Sequence, residues 1–122
     1  VTVTRVDYLD TRGRGGSLSE LEQWVLLCLA RLGDEAYGVP IHQAMEERTG
    51  RSTSIATVYS ALDRLEKQGL IASSLSEPLP ERGGRAKRLC RLSADGAAAL
   101  RSARRVHDSM WEGVDLEAAV EG

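Results

Sequence analysis

Phenylalanine is absent from this chain, and aromatic residues occupy only 4% of its 122 positions. The core must therefore be built from Leu, Val, Ile and Ala, and small aliphatics at this density favour helices. No apolar run exceeds Trp24 to Ala30, which falls far short of the roughly 18 residues of a membrane span, so no transmembrane segment is expected. Cysteine is scarce. Cys28 and Cys90 stand in apolar surroundings without CxxC spacing or a nearby His, which excludes a disulfide framework and a zinc site and makes both expected core residues. Residues Val1 to Gly16 contain no apolar segment followed by a small-residue cleavage site, so no secretory signal is expected and the chain is assigned to the cytoplasm. With 42% hydrophobic and 28% charged residues the length fits one compact domain and leaves no room for a second.

The chain also has no large excess of one charge, since its formal net charge is -2. The distribution is uneven. From residue 93 onward Asp95, Asp108, Glu112, Asp115, Glu117 and Glu121 face only Arg101, Arg104 and Arg105, an acidic excess of three. Between residues 81 and 91 the balance reverses: Arg82, Arg85, Lys87, Arg88 and Arg91 stand against Glu81, a basic excess of four. A charge run taken alone is usually a solvated loop. Its place in the chain gives this one a further meaning.

Residues 1–17 mix Thr, Arg, Asp and Gly without a period and read as a flexible arm. A first helix starts at Ser19, which with Glu22 three residues on forms a capping box, and stops at Gly33. Its stretch Trp24 to Ala30 is apolar around the whole circumference, so one face is expected to need a second copy of the chain. After a turn at Asp34-Glu35, a second helix runs from Gly38-Val39-Pro40 to Gly50, with Ile41, Ala44 and Met45 inward and Gln43, Glu46, Glu47 and Arg48 outward. A third helix opens on Ser54 and ends at Gly69. At 100° per residue Ile55, Val58, Leu62 and Leu65 fall on one side, Thr57, Ser60, Arg64 and Lys67 on the other, and Tyr59 on the flank.

The period then changes. Leu70 to Leu75 and Lys87 to Leu92 read as the strands of a hairpin whose long loop, Ser76 to Gly84, leads into the basic stretch. A last helix, capped by Ser93, extends to about Trp111. Ala97, Leu100, His107, Met110, Trp111 and Val114 recur on it at helical steps and have no core left to cover within one protomer. Residues from Asp115 form a short acidic tail.

Three helices, a hairpin and a closing helix are the parts of a winged helix-turn-helix, an α+β and mainly helical fold that sets one helix in the DNA major groove. Residues 18–92 would form the DNA-binding domain, 93–114 a C-terminal dimerisation helix and 115–122 the tail. Phosphate contacts require cations only where the duplex lies, which gives the basic hairpin its purpose.

Five linked segments carry a resemblance to a known family. They are Leu18-Ser19-Glu20-Leu21-Glu22, Tyr37-Gly38-Val39-Pro40-Ile41, Val58 to Glu66 followed by Gly69-Leu70-Ile71, Glu81 to Arg88, and Leu92-Ser93-Ala94-Asp95-Gly96. In order and spacing the chain resembles the PadR-like transcriptional regulators over residues 18 to about 100. The resemblance implies a homodimeric regulator, usually a repressor, that binds a palindromic operator and dimerises through C-terminal helices. Where many members carry an aromatic pair in the second wing strand, this chain has Leu89-Cys90. It is also short at the C-terminus, where longer members continue into a multi-helix sensing domain.

The expected double-stranded DNA contacts are Tyr37, Ser54, Thr57, Tyr59, Ser60, Arg64, Lys67, Arg82, Arg85 and Lys87. The expected homodimer contacts are Leu21, Trp24, Leu100, His107, Met110 and Trp111, and an effector, if one exists, would be a flat aromatic compound at that seam. His42 and His107 read as ordinary surface or interface residues without a ligating partner, so neither metal nor cofactor is expected. No phosphate-binding glycine loop, HExxH or nucleophile elbow is present, which argues against an enzyme. The competing reading is a winged-helix module that binds protein rather than DNA.

Overall fold

The computed structural model describes residues 17–77 and 86–121. The expected arm and the hairpin tip, with Arg82 and Arg85, lie outside the described residues. The elements in chain order are α1 (Glu20–Leu32), a 3-10 turn (Gly33–Glu35), α2 (Gly38–Thr49), α3 (Ile55–Lys67), β1 (Ile71–Leu75), β2 (Arg88–Leu92), α4 (Ala94–Trp111) and α5 (Leu116–Glu121). This is a mainly helical winged-helix arrangement with one two-stranded antiparallel sheet.

Local sequence fixes the helix ends. The Ser19 hydroxyl accepts from the Glu22 N–H and the Glu22 carboxylate accepts from the Ser19 N–H, a complete capping box. Ser54 and Ser93 cap α3 and α4 in the same sense, accepting from the N–H of Thr57 and Gly96. α2 ends on Gly50 in the left-handed region at φ 69°, where a side chain would be strained.

The core is aliphatic, as the composition requires. Val25, Leu26, Ile41, Val58, Ala61, Leu62, Leu65 and Leu70 are all wholly buried, with Cys28 and Cys90 among their buried neighbours. Burial pushes both thiols above the ordinary cysteine range. Ile71 pairs with Leu92 and Leu75 with Arg88 across the sheet, and the N–H of Cys90 donates to the Ala36 carbonyl, which ties the free edge of β2 to the start of α2.

Three expectations need correction. α1 packs against α2, α3, α4 and β2 of its own chain, so its all-round apolar surface is covered largely from within. Only Leu27 and Ala30 of that stretch remain exposed. The last-helix stripe is also partly covered: Leu100 packs against the core, beside the buried Gly96, Ala99 and Ser102. Ile55, expected inward, is 37% exposed at the first position of α3. The expected short acidic tail carries a helix that the sequence reading did not assign, α5 (Leu116–Glu121), with the Asp115 carboxylate accepting from the Ala118 N–H at its start. Beyond Ala103, Val106, Met110, Trp111, Val114, Leu116 and Val120 stay exposed.

Gly96 marks the joint between the hairpin and α4. A Cβ there would strike the Leu70 carbonyl and the Leu92 side chain, and the same Leu70 carbonyl accepts from Ser93 N–H at 3.1 Å. Because the obstacle is backbone, relaxation is costly. Gly96→Ala should lower stability by about 1–3 kcal/mol, measured by denaturant unfolding; an unchanged midpoint would mean that the joint is loose.

Candidate nucleic-acid interface

The third helix meets two demands at once. Val58, Ala61, Leu62 and Leu65 are wholly buried on one side, while Thr57, Ser60, Arg64 and Lys67 are exposed on the other. Truncating one such buried Leu costs roughly 2–5 kcal/mol, far more than any surface contact on the opposite face, so packing alone decides which residues look outward. Ser54 and Thr57 are engaged with each other: Ser54 Oγ accepts from Thr57 N–H at 3.1 Å and lies 2.8 Å from Thr57 Oγ1.

Tyr37, Tyr59 and Lys87, far apart in sequence, meet at the start of α2. Lys87 Nζ donates to Tyr37 Oη at 3.1 Å and lies 4.3 Å from the centre of the same ring, a cation–π arrangement. The Tyr59 ring rests on Gly38, where a Cβ would collide with it. That contact explains why glycine stands at this position, and no side chain caps the start of α2. The structure thus gathers these three predicted residues around one helix end.

Several charges expected to be free are paired. Arg64 Nε donates to Glu22 Oε2 at 3.3 Å, and the Glu22 side chain is 8% exposed. Arg88 bridges Asp63 at 3.0 Å and Glu66 at 2.5 Å, so it joins β2 to α3 and its charge is paired. Glu66 also accepts from Ser73 Oγ. Arg51 lies 5.2 Å from the centre of the Trp24 ring and 3.4 Å from Glu20. His42, expected to lack a carboxylate partner, has Glu46 at 3.4 Å and the Thr53 carbonyl against Nε2. Glu46, expected outward, turns in to accept from Thr53 N–H at 3.3 Å. Residues His42, Glu46 and Thr53 thus pin the turn between α2 and α3.

Of these pairs only His42–Glu46, four residues apart on α2, was legible from spacing; the others join residues brought together by the fold. Among the described residues no cluster of His, Cys, Asp or Glu could hold a metal ion. On α4, His107 and Trp111 have ring centres 6.5 Å apart at 48°, and Trp111 is 54% exposed.

A sequence model of the transcriptional regulator PadR-like family matches residues 25–102, which runs from within α1 to the middle of α4. The chain belongs to this family. PadR-like proteins are DNA-binding transcriptional regulators and not enzymes. The solved structures agree. A PadR family regulator from Eggerthella lenta is 27% identical with a TM-score of 0.61, covering 77% of this chain and 81% of its own. A PadR family regulator from hypervirulent Clostridium difficile is 27% identical with a TM-score of 0.58, covering 76% of this chain and 88% of its own. The hsRosR chain of a complex structure shares the fold over 94% of this chain and 90% of its own, at 23% identity and a TM-score of 0.63. No relative is found among the curated proteins. No helix among the described residues is long and apolar enough to cross a membrane.

The Arg88 bridge has a titration consequence. Hydrogen bonds from Arg88 and Ser73 hold the Glu66 carboxyl below its ordinary value of 4.5. A lowered folded pKa means that the bridge contributes stability above that ordinary value and loses it as pH falls through the folded value. Arg88→Ala should return the Glu66 titration toward 4.5, read by NMR. It should also loosen the wing strands in hydrogen exchange; unchanged exchange in β2 would show that the bridge does not hold the wing.

Proposed function

We propose that this PadR-like protein is a homodimeric, cytoplasmic repressor that reads a palindromic operator with α3 in the major groove. One observation carries the reading: α3 buries Val58, Ala61, Leu62 and Leu65 on one side and offers solvent a side of hydroxyls and cations, Thr57, Ser60, Arg64 and Lys67. In this reading Thr57, Ser60 and Arg64 meet base edges, and Ser54 serves first as the cap and lies where the helix start approaches a phosphate. Tyr37, Tyr59 and Lys87 form the backbone anchor at the start of α2, and Lys67, Arg82 and Arg85 add phosphate contacts on the flank and at the wing tip.

The dimer is supported by the apolar surface beyond Ala103. Met110 is 75% exposed and Val120 84%, and exposed apolar side chains of this kind, with no membrane-spanning helix among the described residues, fit a second copy. Leu21, Trp24 and Leu100, which are only partly buried against the core, are the further contacts this reading assigns to the dimer. His107 and Trp111 then stand where two copies of α4 meet. A flat aromatic effector stacked on Trp111 would bias one dimer geometry and change operator affinity by about 1–3 kcal/mol.

Duplex binding at rising salt tests the DNA reading against the protein-module alternative. Steep loss of affinity with salt is expected, and absence of duplex affinity at low salt would favour the alternative. Arg64→Ala should cost about 1–3 kcal/mol and relax preference at one position per half-site. Uniform loss over all sequences would reassign Arg64 to phosphate.

Sedimentation at micromolar concentration should show the unmodified chain as a dimer, and Leu100→Asp should give a monomer or an unfolded chain. A monomeric unmodified protein would overturn the dimer.

A further inference from the structure

We infer that Glu22 is a positioning residue for DNA reading, which holds the Arg64 guanidinium so that its outer edge is presented to a base. The inference rests on the reading that Arg64 faces the groove. As the third residue of α1, Glu22 divides its two oxygens between two tasks: Oε1 accepts from Ser19 N–H at 2.9 Å, and Oε2 accepts from Arg64 Nε at 3.3 Å.

The cap does not explain the charge. A capping box needs only an acceptor at this position and is served equally by Gln, whereas a carboxylate with 8% of its side chain exposed carries a desolvation cost. A buried carboxylate persists when a cation and further donors satisfy it. Among the described residues, a cation is supplied by the one arginine on the exposed face of α3, Arg64.

The geometry at Arg64 is selective. Glu22 engages Nε, while the side chain remains half exposed and no ion pair occupies the two Nη groups among the described residues. Those two groups form the end-on fork that suits the paired acceptors of a guanine edge. A free arginine loses much rotamer freedom when it enters a groove, and a guanidinium already held at Nε loses less. The neighbouring carboxylate also weakens the pull of phosphates on Arg64. Orientation and partial neutralisation both favour base reading over backbone binding.

Glu22→Gln separates the two tasks. The amide oxygen keeps the bond from Ser19 N–H, and the amide nitrogen cannot accept from Arg64. The test uses the full chain, an operator duplex selected from random DNA, and duplexes altered one base pair at a time. Arg64→Ala should relax preference at one position per half-site. Glu22→Gln should relax the same position by about tenfold and no further in the Arg64→Ala background, with affinity for unrelated duplex equal or higher.

If Arg64→Ala relaxes that position and Glu22→Gln leaves it sharp, the positioning role is wrong. If Arg64→Ala changes no positional preference, the reading of Arg64 itself fails and the role of Glu22 falls with it. Should Glu22→Gln not fold, the unmodified protein still decides: Arg64 Nε–H must give a slowly exchanging, rigid NMR signal before DNA is added, and a mobile one overturns the inference.

Discussion

The burial of one face of α3 against α1 and α2 is the constraint on which the rest of this structure depends. Val58, Ala61, Leu62 and Leu65 have no exposed surface, and their spacing lets the helix rotate little without emptying the core. The residues on the other face are therefore set before any ligand arrives. In a chain with so few aromatics this precision comes from close-packed aliphatics, in which a missing methylene is felt as a void.

Around that helix, carboxylates manage the cations. Glu22 holds Arg64, Asp63 and Glu66 hold Arg88, and Glu20 lies beside Arg51. Lys87 instead rests on a tyrosine ring, which leaves its charge available. The sum of charges in a sequence window therefore misstates what a duplex would meet. In the proposed reading the paired arginines would give shape and orientation, while Lys67 and Lys87, with Arg82 and Arg85, would supply the long-range attraction that makes binding sensitive to salt.

Much of the architecture was legible in the sequence because it is written locally. Ser19, Ser54 and Ser93 signal helix starts, Gly33, Gly50 and Gly69 signal stops, and the change from a helical to an alternating period marks the hairpin. The separation of Thr57, Ser60, Arg64 and Lys67 from Val58, Leu62 and Leu65 follows from the turn of a helix alone. What could not be read was tertiary. Nothing in the spacing shows that Glu22, 42 residues before Arg64, turns its second oxygen toward it. Nor does the apolar circumference of α1 say that four elements of its own chain cover it. Asp115 reads in sequence as part of a tail, although it caps a short helix whose Leu116 and Val120 are exposed, as are Met110 and Trp111 of α4.

The central claim is that the outward face of α3 reads sequence, with two copies acting together. Selection of bound duplexes from a random pool tests it most directly, because no operator has to be specified in advance. The account predicts an enriched inverted repeat whose half-sites lie about one helical turn, roughly 10 base pairs, apart. Recovery of duplexes with no shared motif, or of a single unrepeated half-site, would contradict it.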